Sequence, residues 1–82
     1  MTSTGFSLSE GWDLSGLTLT ELWLRYLGVG GSATPARLAA YARGELHPGS
    51  HQHNLIAQAM NEYFTDRGED HPVGYQDIPF PA

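Results

Sequence analysis

Cysteine is absent, and with it any disulfide framework, thiolate metal site or cysteine nucleophile. Lysine is absent too, so Arg25, Arg37, Arg43 and Arg67 supply the only permanent side-chain cations, and they form no basic run. Set against 9 Asp and Glu, these 4 arginines leave a formal charge of −5. Nucleic-acid affinity comes largely from neutralised phosphates, and anionic membranes attract basic clusters, so both partners are disfavoured. No apolar run approaches the roughly 20 residues that cross a bilayer. The opening stretch, MTSTGFSLSEGWDLSG, has neither a basic nor an apolar block and does not read as a secretory signal. A cytoplasmic protein is expected. The Arg-only, Ala- and Gly-rich usage suggests a bacterial genome rich in G and C.

What is present begins with a length of 82 residues, enough for one small domain with a modest core. Domains of that size often draw stability from a partner. The longest regular stretch runs from Ser50 to Gly68. Leu55, Ile56, Ala59, Met60, Tyr63 and Phe64 recur there at helical spacing, with Ser50 as the expected N-cap and Gly68 as the closing left-handed residue.

Two shorter helices precede it. Thr18-Leu19-Thr20-Glu21 fits a capping box, and Leu19, Leu22, Trp23, Tyr26 and Leu27 then form one stripe. Leu24 lies off that stripe and hints at a contact on a second side. Thr34-Pro35 opens the next helix as cap and first helical residue, with Leu38, Tyr41 and Ala42 facing inward and Gly44 ending it. Between the two, Gly28-Val29-Gly30-Gly31 reads as a flexible joint. Its GxGG pattern has no preceding strand and no following Lys-Ser/Thr pair, so a nucleotide loop is disfavoured. Pro48-Gly49 breaks the chain before the last helix, and Leu46 is expected to plug the junction there.

The expected fold is therefore all-α, a small three-helix bundle over 18–68, with helices at 19–27, 35–43 and 51–67. The last helix is expected to pack across the first two. Residues 1–17 read as an N-terminal arm and 69–82 as an extended C-terminal arm, the latter because Pro72, Pro79 and Pro81 exclude a helix. The core set is Leu19, Leu22, Trp23, Tyr26, Leu27, Leu38, Tyr41, Leu55, Ile56, Ala59, Met60, Tyr63 and Phe64.

Chemistry-bearing residues are few. His47, His51, His53 and His71 are potential metal ligands, yet His51 and His53 are two apart and diverge on a helix, and no HExxH pattern occurs. No metal or other cofactor is expected. Ser50, His51 and Asp66 contain the residue types of a triad, but one helix holds Asp66 too far from the others, so no catalytic site is expected.

Asn54, Gln58 and Asn61 share a polar face that suits adenine edges in a helix-turn-helix protein, and equally a protein partner. Glu62, Asp66 and the lack of flanking cations weigh against DNA. Trp12, Tyr75 and Phe80 are anchor-type residues placed in the two arms. The leading expectation is a non-catalytic regulatory or adaptor protein acting through protein–protein interaction, as a homodimer. Its candidate contact residues are Trp12, Leu24, Asn54, Gln58, Asn61, Tyr75 and Phe80. A small helix-turn-helix-like DNA-binding regulator is the alternative.

Overall fold

The computed structural model describes residues 7–68 together with Val73. The described residues form four helices: α1 (Leu8–Ser15), α2 (Leu19–Gly28), α3 (Pro35–Arg43) and α4 (Gly49–Asp66). The all-helical class agrees with the sequence, but the count of three and the N-terminal arm do not. Residues 8–15, expected as part of that arm, are a capped helix. Ser7 accepts from the Glu10 N–H at 3.1 Å, and the Ser7 N–H donates to Glu10 Oε1 at 2.9 Å, which is a complete capping box. Gly16 closes the helix at φ 70°, and its N–H returns to the Trp12 carbonyl. Apart from Val73, the expected C-terminal arm lies outside the described residues, as do Tyr75 and Phe80.

Each of α1 and α2 rests on both α3 and α4. This corrects the expected arrangement, in which the last helix crossed the two helices before it: the main neighbours of α4 are α1 and α2. Its contact residues divide accordingly. Gln52, Tyr63 and Asp66 meet α2, whereas Met60 lies over Gly11 of α1. The buried core joins Leu8, Leu22, Tyr26, Leu38, Ala42, Ile56, Met60 and Phe64. Most of the expected core set is buried or packed against it. Leu27 is the exception: it is 38% exposed, because it lies about 100° round the helix from the fully buried Tyr26.

The α2 and α3 starts match the sequence. Thr18 and Glu21 form the second capping box, with bonds of 3.1 and 2.8 Å, and Thr34 accepts from the Arg37 N–H at 3.2 Å ahead of Pro35. Gly44 and Gly68 adopt φ 82° and 81° at the helix ends. The α4 start differs. Pro48, not Ser50, occupies the cap position, and no side-chain bond caps the helix there. Proline has no N–H to satisfy, and Gln52, near the start of α4, accepts from the Tyr26 hydroxyl and ties this end to α2.

The junction between α1 and α2 is tied by the side chains of α1. Ser15 Oγ donates to the Trp12 carbonyl at 2.7 Å and accepts from the Leu17 N–H at 3.0 Å, while Trp12 Nε1 donates to the Leu17 carbonyl at 2.8 Å. No helix among the described residues is long and apolar enough to cross a membrane.

The exposed capping box on α2 predicts a pH effect. The Thr18 N–H, then its hydroxyl, hold the Glu21 carboxyl below the usual glutamate value, and Arg25 adds a smaller pull in the same direction. A lowered folded pKa adds stability above the unfolded value, and that stability is lost as pH falls through the folded one. Glu21→Gln should therefore melt below the wild type near neutral pH, with the gap closing on acidification through the carboxylate range. Thermal melts at stepped pH check this; a gap unchanged by acid excludes a role for the Glu21 charge.

Candidate functional site

The interior polar groups account for themselves. Among the described residues, no buried side-chain nitrogen or oxygen lacks a partner. The most connected is the Tyr26 hydroxyl. It donates to Gln52 Oε1 at 2.7 Å and accepts from the N–H groups of Ala33 at 3.0 Å and Ser32 at 3.2 Å. The glycine-rich segment between α2 and α3 is therefore pinned over the Tyr26 ring rather than free. Trp23 Nε1 pins it again through the Ala33 carbonyl at 2.9 Å, and the Gly31 N–H donates to the Tyr26 carbonyl at 2.9 Å. A Cβ at Gly31 would fall against the ring, so glycine there serves close approach. The last glycine of the GxGG pattern thus has a structural reason.

The cations are similarly engaged. Arg25 pairs with Asp66 at 3.2 Å and lies 5.2 Å from the Tyr63 ring centre. Arg67 lies 5.4 Å from the same ring centre and donates to the Tyr63 hydroxyl at 3.1 Å. Arg43 covers Trp12 at 5.7 Å. Three of the four arginines thus hold the fold's own aromatic rings, which limits what they offer to phosphates.

The expected contact residues separate. Leu24 projects from α2 with 57% of its surface exposed, and Leu27 lies beside it one turn on. Gln58 is exposed and Asn54 half-buried on α4. Asn61, expected on the same outer face, is instead 2% exposed and points inward. Its amide bonds both main-chain groups of Val73. The face read from Asn54, Gln58 and Asn61 therefore loses its third member, because α1 and Val73 cover a flank of α4 that a three-helix bundle leaves open. Trp12 is half-buried: its indole N–H is used within the chain, and its ring borders a shallow cleft of about 350 Å³ with Asp13, Leu17 and Arg43. Tyr75 and Phe80 lie outside the described residues.

His47 and His53 line one cleft of about 220 Å³ with Leu8, Tyr41 and Leu46, whereas His51 is exposed on α4 and His71 falls outside the described residues. Leu46, expected to plug the junction, borders this cleft and remains 42% exposed. No group of three or more His, Asp or Glu among the described residues is placed to hold a metal ion.

Sequence reasoning missed α1, the depth of Asn61 and the anchoring of Val73. Ser7-Leu8-Ser9-Glu10 carried the signal for the first. Asn61 stands one residue beyond Met60 and three before Phe64, at the edge of the apolar stripe, and nothing local places it inside. No family model matches this chain, and no curated protein and no solved structure matches it.

Tyr26 and Gly31 generate a paired prediction. Tyr26→Phe orphans two loop N–H groups and Gln52 and should cost about 2–3 kcal/mol. Gly31→Ala pushes the loop off the same ring, at about 1–3 kcal/mol. Because both act on one contact, the double variant should cost less than the sum of the two. Urea denaturation measures all three; strict additivity separates the loop from the hydroxyl.

Proposed function

We propose that this chain is a non-catalytic regulatory or adaptor protein, cytoplasmic in setting, that works by binding another protein, with a second copy of itself as the first partner. The observation that carries this reading is the outer side of α2. The helix already commits Leu22, Trp23 and Tyr26 inward, yet it presents Leu24 and Leu27 together to solvent at 57% and 38% exposure. Scattered exposed leucines are ordinary, but two adjoining ones on a short helix make an apolar strip of the kind interfaces bury. The polar groups that would otherwise suggest chemistry support the same reading, since Tyr26, Trp12, Trp23 and Asn61 spend their donors inside the fold. A small domain of this length gains proportionally more from association than a large one.

Sedimentation across a concentration series tests the proposal. The wild type should pass from monomer to dimer, and Leu24→Glu should hold it monomeric. The substitution is at an exposed position, so helicity and melting should change little, within about 0.5 kcal/mol. A wild type that stays monomeric at every concentration would remove the homodimer and leave Leu24 without its assigned role.

A further inference from the structure

Among the described residues, a buried side-chain amide is bonded to a piece of main chain. Asn61 Nδ2 donates to the Val73 carbonyl at 3.0 Å, and the Val73 N–H donates to Asn61 Oδ1 at 2.9 Å. Both residues are sealed from solvent, at 2% and 1% exposure. A carboxamide presents one acceptor and one donor side by side, so it meets both main-chain groups of a single residue as a facing strand would. Aspartate lacks the donor, and an apolar residue lacks both groups.

The side chain of the captured residue is read as well. Gly11 of α1 lies directly beneath it: a Cβ at Gly11 would come within 2.5 Å of Val73 Cγ2 and 3.2 Å of Met60 Sδ. The missing side chain at Gly11 makes the notch, Met60 forms its wall, and a branched apolar side chain occupies it. Main-chain capture combined with a side-chain pocket is how extended peptides are recognised at sheet edges. Here a helix supplies the same two components.

We propose that Asn61, Gly11 and Met60 form a peptide-binding socket for one residue of an extended segment with a branched apolar side chain. Val73 is its resident occupant, and the Val73 segment of a second copy is its occupant in trans. The second copy is the partner because it carries the one segment whose main chain and side chain the socket already fits. Val73 is joined to the socket through Gly68, which turns the chain out of α4 at φ 81°, and the residues 69–72. Exchange of such a segment between copies needs no new contact, only the replacement of the cis occupant by an identical one. The socket is separate from the Leu24 strip, and in the wild type the tethered Val73 outcompetes a second copy's, so exchange adds no dimer to a dilute sedimentation series and the two surfaces are tested independently.

The test uses the full chain and a fluorescently labelled peptide copying residues 69–82. In the wild type the tethered Val73 competes at high effective concentration, so the peptide should bind weakly. Val73→Asp places a charge in the notch and vacates the socket. Peptide affinity should then rise about tenfold or more as the tethered competitor is lost. A peptide carrying the same Asp should not bind. Adding Asn61→Ala to the Val73→Asp chain should abolish the gain. Circular dichroism establishes that each variant is helical, and Val73→Ser is the milder vacating substitution should Val73→Asp unfold. Fluorescence anisotropy reads every arm, none of which depends on dimerisation through Leu24. Equal binding of the Val and Asp peptides overturns the proposal. So does equal affinity of the wild type and the vacated chain, or failure of a helical vacated chain to bind.

Discussion

One phenol hydroxyl ties α2 to α4 and to the segment that leads into α3. Tyr26 is fully buried, and its hydroxyl has one donor and two acceptor positions, all of which are filled. Its donor fixes α2 to Gln52 of α4; its acceptors hold the segment that leads into α3. The ring supplies the floor on which that segment lies, and this is why Gly31 has no side chain. A loop of several glycines and one valine would otherwise be among the least constrained parts of the chain. Instead it is set from two sides, by Tyr26 and by the Trp23 indole, and it delivers Thr34 to the start of α3 ready to cap. The same contact spends the N–H groups of Ser32 and Ala33 on a tyrosine.

The scarcity of cations is matched by how they are used. Tyr63 has Arg25 and Arg67 within 5.2 and 5.4 Å of its ring centre, and it meets Phe64 edge-on at 5.7 Å. The Arg25–Asp66 pair is partly exposed and by itself worth little, of order 1 kcal/mol at most. Its effect is better seen as positioning: it holds a guanidinium over an aromatic face on the α2–α4 seam. Arg43 on Trp12 does the same between α3 and α1. With no lysine and so few arginines, the chain spends two of its four, Arg25 and Arg43, where helices meet.

Local chemistry was legible in the sequence, and long-range coverage was not. The Thr18–Glu21 box, the Thr34-Pro35 start and the left-handed glycines at 44 and 68 depend on neighbours within a few positions, and each is found where the residues place it. The α1 helix obeys the same local rule through Ser7 and Glu10. Its Gly11 and the nearby Gly5 and Gly16 nonetheless give the stretch the composition of a tail. Gly11 is there for a contact with residues far along the chain, a reason no local window contains. Asn61 misled for a related cause. An asparagine beside an apolar stripe reads as an outward residue unless something covers it, and what covers it is Val73 together with α1. Leu27 is the converse case: its spacing fits the stripe, but Tyr26 already fills the centre of the α2–α4 contact. The pocket-forming and surface roles thus turn on which elements cover one another, and that is decided by the whole bundle.

The α1 helix and Val73 therefore close on each other. Val73 needs Gly11 beneath it and Asn61 beside it; α1 in turn has its Gly11 face covered by Val73 and Met60. Without Val73 the Asn61 amide faces an apolar notch with two unmet hydrogen-bonding groups, an arrangement that buried polar groups make costly. Without α1 the notch has no floor. A three-helix bundle built from the middle of the chain would leave that flank of α4 uncovered. The added helix and the captured valine complete the core by a contact between residues far apart in sequence, made through main-chain atoms that any extended segment also possesses. The proposed exchange rests on that generality: an extended main chain with a branched side chain would meet the socket without the covalent connection that brings Val73 to it.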